Sequence, residues 1–213
     1  MREQSIKYSY IFIWGGLFLV IALLVSAYIS SRGLKISPQE QQQARSSRSS
    51  VVFQNAPAQV NSIDNLPEVV EFGDFQCPSC KQMAPILQKL VEEEKINLIW
   101  IHAVNTGHEQ SLPAALASQC AHQQNRFWEF HDLLFENQTD LSTALYLEIA
   151  KSLNFNIPTF QKCLDAPETR NLMQQNAVFT QENNVTSTPS LIIDNFLLEG
   201  LVTEEQILSQ FNL

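Results

Sequence analysis

The chain has 213 residues and a formal charge of −9 at pH 7. Its first 50 residues contain six basic and two acidic side chains, which leaves 7 basic and 20 acidic side chains in the remainder. This acidic remainder argues against nucleic-acid binding, because proteins that bind nucleic acid present a basic surface.

An uncharged apolar segment occupies residues 11–29. A helix rises about 1.5 Å per residue, so this segment is long enough to cross a hydrocarbon core. We therefore predict a transmembrane signal-anchor helix over 11–29 that follows a short N-terminal tail over 1–10. A cleavable signal peptide is the alternative, since Val25-Ser26-Ala27 offers small residues to a peptidase.

Residues 30–61 are rich in Ser, Gln and Arg and show no sustained apolar period. Such a composition buries too little apolar surface to offset the entropy of ordering, so we predict a flexible linker over 30–61. The remaining residues, 62–213, suffice for one compact domain with a single core.

The first elements of this domain follow a β-α-β pattern. Glu68–Phe72 is a β-prone run that ends at a turn over 73–74. Apolar residues then recur every three or four positions from Met83 to Val91, as on one face of a helix. Asn97–Ile101 has the length and composition of a buried strand.

The rest of the domain begins with a long series of helical patterns and ends in a hairpin. Apolar faces with helical spacing recur between residues 110 and 183. Ser190–Ile193 and Phe196–Leu198 flank the turn residues Asp194-Asn195, which predicts two paired strands. A closing helix is predicted over residues 203–212.

Two cysteines lie at the predicted start of the first helix, in the run Cys77-Pro78-Ser79-Cys80. Such a pair closes a small disulfide ring and reopens it by thiol attack. The helix N-terminus favours an anion, so Cys77 is the predicted nucleophile, with a lowered pKa, and Cys80 is the resolving thiol. Pro78 suits the first helical turn, where its missing N–H would be unpaired in any case.

Other uses of this pair remain open from the residues alone. A zinc or copper site needs further soft ligands at short spacing, and Cys120 and Cys163 stand alone. Two buried cysteines without redox chemistry are the other alternative. The order of strand, turn, cysteines and helix favours redox exchange, and we predict no metal site and no cofactor.

Three segments resemble the DsbA-like thiol-disulfide oxidoreductases. Glu71–Cys80 is similar to the active-site segment of that family, and Thr188-Pro189-Ser190 is similar to its cis-proline loop. Ala114–Ala117 and Phe127–Phe135 are similar to its inserted helical subdomain. The resemblance implies an α/β, thioredoxin-like fold with a helical insert over about 110–183.

The resemblance also implies roles for residues around the cysteines. Pro189 is expected in a cis peptide beside Cys77, where the backbone of Thr188 would be presented to an extended substrate strand. Glu71 corresponds to a buried acid that relays a proton for Cys80. An ordinary trans proline and a carboxylate that faces water are the alternatives.

Departures from the family pattern bear on the redox potential. Ser79 stands in the active-site turn where relatives often have an aromatic residue or His, and the two residues between the cysteines help to set thiolate stability. Ser187 and Asn183-Asn184 stand where relatives commonly have Gly. Oxidase, isomerase and reductase activities therefore remain open.

Cys120 and Cys163 form a second candidate pair, on separate predicted helices. A bond between them would close a loop of about 44 residues, which is worth about 4 kcal/mol in the chain-entropy model. We predict a structural disulfide, and two free buried cysteines are the alternative. Some DsbA-like proteins bridge their insert in this way, and such bonds persist only in oxidising compartments.

The four histidines are scattered along the domain, at His102, His108, His122 and His131. None has a Ser or Cys partner at a motif spacing. We therefore predict surface or core packing for each of them.

These features together predict a thiol-disulfide oxidoreductase that acts as an oxidase. The resemblance implies that it passes its disulfide to unfolded exported proteins with cysteines, and that a membrane oxidant of the DsbB or VKOR type reoxidises it. We expect a monomer, anchored in the cell membrane by a single N-terminal helix, with its catalytic domain on the extracytoplasmic face. A disulfide isomerase or reductase, and a thioredoxin-fold binding module for client proteins or copper, are the alternatives.

Overall fold

The computed structural model describes residues 39, 42–43, 51–59, 66–194 and 196–211. The chain divides into two compact units, Met1–Ser46 and Ser47–Leu213. In the first unit, residues 39, 42 and 43 are helical. The predicted tail over 1–10 and transmembrane helix over 11–29 lie outside the described residues. Within the described part of the chain, no helix is both long and apolar enough to cross a membrane.

The second unit combines a sheet with helices, in the order that the sequence pattern predicts. A β-α-β unit comes first, a helical insert follows, and a hairpin and a short helix come last. The elements are β1 (Ala58–Gln59), β2 (Glu68–Gly73), α1 (Pro78–Glu92), β3 (Asn97–His102), α2 (Ser111–His122), α3 (Phe127–Glu136), α4 (Thr143–Ser152), α5 (Ile157–Asp165), α6 (Pro167–Glu182), β4 (Ser190–Ile193), β5 (Phe196–Glu199) and α7 (Glu204–Leu208), with 3₁₀ turns at Gln138–Asp140 and Ser209–Phe211.

Local signals determine where several of these helices start and stop. Cys77 is extended and precedes α1, and Pro78 takes the first helical position, where no intrahelical N–H is needed. Asn184 lies just beyond α6 with φ 57°, a left-handed conformation that Asn tolerates. The helix α7 begins with a capping box, in which Thr203 and Gln206 each bond the backbone N–H of the other.

The five strands form one mixed sheet in the order β1-β3-β2-β4-β5. β2 runs parallel to β3, while β4 is antiparallel to both β2 and β5. Neighbouring residues of β2 face opposite sides, so Val69 packs in a core with α1 and Val70 packs in a core with Phe179 of α6. Helices therefore cover both faces, which confirms the predicted α/β class.

The second unit extends into the predicted linker. Residues 51–55 are helical, and β1 pairs antiparallel with β3. Val52 is fully buried, and Gln119 Nε2 donates to the Asn55 carbonyl at 3.0 Å. Residues 51–59 therefore form regular structure, whereas the sequence predicted a flexible linker over all of 30–61. Only three consecutive apolar residues begin this segment, too few to show a helical period.

The helical insert has its own core, which continues to the two cysteines. Phe127, Phe130 and Leu134 of α3 are buried in the same apolar cluster as Cys77 and Cys80. The start of α1 therefore lies where the insert packs against the sheet.

Gly73 ends β2 against the indole ring of Trp100. A Cβ placed on Gly73 would lie 2.1 Å from the Cη2 atom of Trp100, closer than any side chain can approach without a shift. Trp100 is fully buried and stacks on Phe75, with ring centroids 5.0 Å apart. Glycine at this position allows the ring to pack directly under the turn that leads to the cysteines.

We predict that Gly73→Ala destabilises the domain by about 1–3 kcal/mol, the usual cost of overpacking a core. Urea unfolding followed by tryptophan fluorescence measures this change. Gly107→Ala is the matched control, because the nearest atom to its new Cβ would be Asn105 Oδ1, at 3.2 Å. Equal stability of the two variants would contradict the proposed packing of Trp100.

The insert also contains a disulfide. Cys120 of α2 and Cys163 of α5 are bonded, with Cα atoms 5.7 Å apart and a sequence separation of 43 residues. The bond joins two helices that enclose the core of the insert.

Replacing both cysteines by serine should lower the free energy of unfolding by about 4 kcal/mol, because the unfolded chain regains the entropy of a long loop. Thermal unfolding of the oxidised protein and of the Cys120→Ser/Cys163→Ser variant measures the difference. Below the unfolding temperature, exchange by Cys77 and Cys80 should continue. Unchanged stability would show that the bond contributes nothing to folding.

Candidate active site

Cys77 and Cys80 are both free, and they differ in exposure. Cys77 precedes the first turn of α1 and is 7% exposed, whereas Cys80 lies one turn later and is fully buried. Pro78 and Ser79, the predicted active-site turn, form the first two positions of the helix between them. An incoming thiol therefore meets Cys77 first.

The two thiols have opposite acidities. The pKa of Cys77 is lowered to about 5, above all because Cys80 donates a hydrogen bond to it. Burial opposes this change, while the Thr188 side chain and the amides of Cys80 and Ser79 add to it. The pKa of Cys80 is raised far above its usual range by the same hydrogen bond, by burial and by Glu71. At neutral pH the pair therefore holds one negative charge, on Cys77.

Glu71 lies on β2, in the core behind the cysteines. It is 1% exposed. Burial and, second, the charge on Cys77 raise the pKa of Glu71 to about 8. The carboxyl is therefore mostly protonated at neutral pH and can give a proton to a neighbouring thiolate.

The loop before β4 reaches Cys77 from the other side. The Thr188–Pro189 peptide is cis, and Sγ of Cys77 lies 3.2 Å from the Thr188 carbonyl oxygen, to which it donates when the thiol is protonated. Glu199 of β5 accepts from the N–H and the hydroxyl of Thr186, at 3.0 and 2.8 Å. The Gly200 N–H donates to the Pro189 carbonyl. The hairpin thus fixes the loop beside the nucleophile.

A buried carboxylate organises the turn that precedes Cys77. The Asp74 side chain is fully buried, and it accepts from the Gln76 N–H at 2.8 Å. Its other oxygen lies 2.7 Å from His108 Nδ1. The Asp74 backbone carbonyl accepts from the Cys77 N–H. Asp74 and His108 are candidate site residues that sequence reasoning missed.

The insert holds the same turn through side-chain amides. Gln138 Nε2 donates to the carbonyl oxygens of Phe75 and Cys77, each at 2.9 Å. The Gln110 N–H donates to Gln76 Oε1 at 2.7 Å. Sequence offered no signal for these contacts, because the glutamines lie 34 to 63 residues from their partners and fit no motif.

The structure thus brings most of the predicted site residues together. Cys77, Cys80 and Glu71 interact electrostatically, and Thr188 contacts Cys77. Cys120 and Cys163 are bonded to each other, on α2 and α5 of the insert.

Comparison with known proteins agrees with this geometry. The thioredoxin family model matches residues 64–212. The chain therefore belongs to the thioredoxin family.

Individual relatives show which thioredoxin-like proteins this chain resembles. Disulfide bond formation protein D of Bacillus subtilis is 28% identical over 152 residues, which cover 65% of this chain and 68% of that protein. The crystal structure of BdbD from Bacillus subtilis (oxidised) matches with a TM-score of 0.66 and 25% identity, over 75% of this chain and 92% of that one. A thioredoxin-like oxidoreductase from Silicibacter pomeroyi DSS-3 matches with a TM-score of 0.65 and 27% identity, over 76% and 94%. These matches confirm the resemblance to DsbA-like thiol-disulfide oxidoreductases.

Some relatives are much larger proteins. The Na(+)/H(+) antiporter NhaA 3 of Salinispora tropica is 31% identical over 128 residues, which cover 59% of this chain and 20% of the antiporter. The chain thus spans about a fifth of the length of such relatives.

The acidity of Cys77 predicts how its reactivity depends on pH. Only the thiolate is alkylated, so the rate of iodoacetamide labelling should be constant near neutral pH and fall as the pH drops through about 5. Because the folded-state pKa is lowered from 9.0, thiolate formation stabilises the reduced fold fully above pH 9, and this stabilisation is lost as the pH falls through about 5.

Mass spectrometry of protein labelled between about pH 3 and about pH 9 checks this profile. The range includes both the lowered pKa of Cys77 and the ordinary pKa of a thiol. Cys77→Ser is the control, and it should remain unlabelled at neutral pH because Cys80 is buried. A midpoint near the ordinary thiol value would contradict the proposed electrostatics.

Proposed function

We propose that this chain is a thiol-disulfide oxidoreductase that oxidises exported proteins. The observation that carries the proposal is the asymmetric pair: a partly accessible, acidic Cys77 beside the Thr188 carbonyl, with a buried Cys80 behind it. Exchange needs one thiol that leaves readily as a thiolate and one that is shielded from substrate, and the pair supplies both.

The reaction begins from the oxidised pair. A substrate thiolate attacks Sγ of Cys77, a mixed disulfide forms, and the bond to Cys80 breaks. Cys80 leaves with the electron pair and takes a proton, for which protonated Glu71 is the proposed source. A second substrate thiolate then attacks the substrate sulfur of the mixed disulfide, and Cys77 leaves as a thiolate. The substrate gains a disulfide, and the protein is reduced by two electrons.

The acidity of Cys77 favours the oxidising direction. Stabilising the thiolate stabilises the reduced pair, which makes the disulfide more oxidising. A pKa of about 5 for Cys77 lies between the values of about 7 for thioredoxin and about 3.5 for DsbA. Oxidase activity is therefore the direction that we propose, with isomerase or reductase activity as the alternative.

Thr188 and Pro189 are the proposed substrate-binding residues. They precede β4 and lie next to the nucleophile, so an extended substrate segment can pair with the backbone there as an added strand. Unfolded proteins expose such segments together with their cysteines. A membrane oxidant of the DsbB or VKOR type is the proposed acceptor of the two electrons.

We further propose an extracytoplasmic site of action, with the apolar segment over 11–29 as a single membrane anchor and the domain from residue 62 onwards as a monomer. The Cys120–Cys163 bond supports an oxidising compartment, because structural disulfides are rare in a reducing cytoplasm.

Turnover on a reduced, unfolded protein with glutathione disulfide as the oxidant tests this proposal. The unsubstituted protein should accelerate disulfide formation, Cys77→Ser should abolish the acceleration, and Cys80→Ser should accumulate a mixed disulfide with substrate. Cys120→Ser/Cys163→Ser is the matched cysteine control and should retain turnover. Normal turnover by Cys77→Ser would contradict the mechanism. Faster reduction of a disulfide-bonded protein than oxidation of a reduced one would favour a reductase instead.

A further inference from the structure

A narrow cleft of about 10 Å³ opens beside Glu71, on the side where α1 and α3 pack over the sheet. Its walls are apolar and come from Ala84, Leu87, Leu98 and Trp128. Gln59, Gln88 and Asp132 also line it. This volume suits about one water molecule, provided that polar groups are present to bind it.

Two buried polar atoms in this cleft have no hydrogen-bond partner among the described residues. They are Oε1 of Glu71 and Nε2 of His131, and both side chains line the cleft. Glu71 is 1% exposed and His131 is 4% exposed. A buried polar atom without a partner costs free energy, and ordered water commonly supplies the missing bond.

The ring of His131 is held in one orientation. Phe135 and Trp100 pack edge-on against it, with centroids 4.8 and 5.0 Å away. Its Nδ1 lies 2.8 Å from Oδ1 of Asp132, whose side chain is 46% exposed. A carboxylate accepts, so Nδ1 carries the hydrogen and Nε2 presents a lone pair to the cleft. His131 therefore connects the cleft to an acid that reaches solvent.

We propose that one water molecule in this cleft joins Glu71 to His131, and that His131 and Asp132 carry to and from solvent the proton that Cys80 exchanges through Glu71. The proposal rests on the proposed function, since only a thiol that alternates between disulfide and thiol needs such a proton. It assigns His131 and Asp132 a role in proton transfer, and His131 was predicted from sequence to be a packing residue.

The proton balance closes over a full cycle. When the reduced pair is reoxidised, protonated Glu71 passes its proton through the water to Nε2 of His131, and the Glu71 carboxylate that this leaves takes the proton of Cys80. The ring then releases the Nδ1 proton to Asp132 and solvent. When substrate is oxidised, a proton from solvent enters at Nδ1, the Nε2 proton moves through the water to Glu71, and Glu71 protonates the leaving Cys80. The ring returns to its first tautomer.

The neighbouring titratable groups do not offer the same route. Cys77 and Cys80 face Glu71 from α1, and both take part in the exchange itself. His102 of β3 lies near His131, but its two ring nitrogens already bond Trp100 Nε1 and Gln119 Oε1. Burial lowers the pKa of His131, which keeps its ring neutral and able to accept a proton between transfers.

Stopped-flow kinetics of the Cys77–Cys80 pair test the route in both directions, with dithiothreitol as the reductant and glutathione disulfide as the oxidant. His131→Gln keeps a group that can bond the water but cannot take up a proton. We expect it to slow both directions by about tenfold or more, the scale of general acid-base catalysis. Glu71→Gln should slow them by a similar factor, and the double variant should be no slower than Glu71→Gln, because both changes block one path.

The readouts also separate proton transfer from structural damage. The equilibrium between the oxidised and reduced pair in glutathione buffers and the rate of Cys77 alkylation should stay unchanged in His131→Gln, because a proton path changes rates and leaves the equilibrium in place. His122→Gln is the matched control, since His122 is half-buried and its ring also packs against Phe127, but it does not line the cleft. Asp132→Asn, at an exposed position, should slow exchange even if His131→Gln fails to fold.

Unchanged rates in both His131→Gln and Asp132→Asn would overturn the proposal, and so would slowing that is accompanied by a shifted equilibrium in glutathione buffers. If the unsubstituted protein fails to exchange with either reagent, the proposed function itself is contradicted. Active unsubstituted protein with unaffected variants would leave the proposed function intact and remove only the His131 route.

Discussion

Two sulfurs one helical turn apart share a single negative charge, and the rest of the site determines on which sulfur that charge lies. The hydrogen bond from Cys80 lowers the pKa of Cys77, and the same bond raises that of Cys80. The first amides of α1 strengthen the preference for Cys77. Where Glu71 is ionised, it strengthens the preference further, because its charge disfavours a second anion on Cys80. The reactive sulfur is thus the one that substrate can reach.

This charge distribution depends on the turn that precedes Cys77, and contacts outside the sheet help to hold that turn in place. Gly73 lets Trp100 pack beneath the turn, Asp74 bonds it internally, and Gln138 of the insert bonds two of its carbonyl oxygens. On the side of the hairpin, the carbonyl of Thr188 contacts Cys77 at the end of this turn. The insert therefore positions the cysteines as well as covering them, and its disulfide joins α2 to α5 within that insert.

The features that sequence predicted correctly are those encoded by local patterns. Alternation of strand and helix periods predicted the β-α-β unit, and the hairpin followed from two apolar runs around a turn. The resemblance to a known family implied the α/β, thioredoxin-like fold. The features that sequence missed depend on contacts between distant segments. His108 bonds Asp74 across 34 residues, and a histidine in an aromatic cluster, such as His131, has the pattern of an ordinary core residue. Residues 58–59 pair with the edge of β3, and Asn55 bonds Gln119 of α2, so the order of this segment also depends on distant partners.

The reduction potential of the Cys77–Cys80 pair, measured at equilibrium in glutathione buffers, tests the account most directly. An oxidase whose acidic Cys77 stabilises the reduced state should have a potential of about −120 to −180 mV, in the range from DsbA to protein disulfide isomerase. A potential near about −270 mV, the value of thioredoxin, would show that the charge on Cys77 does not make this pair an oxidant.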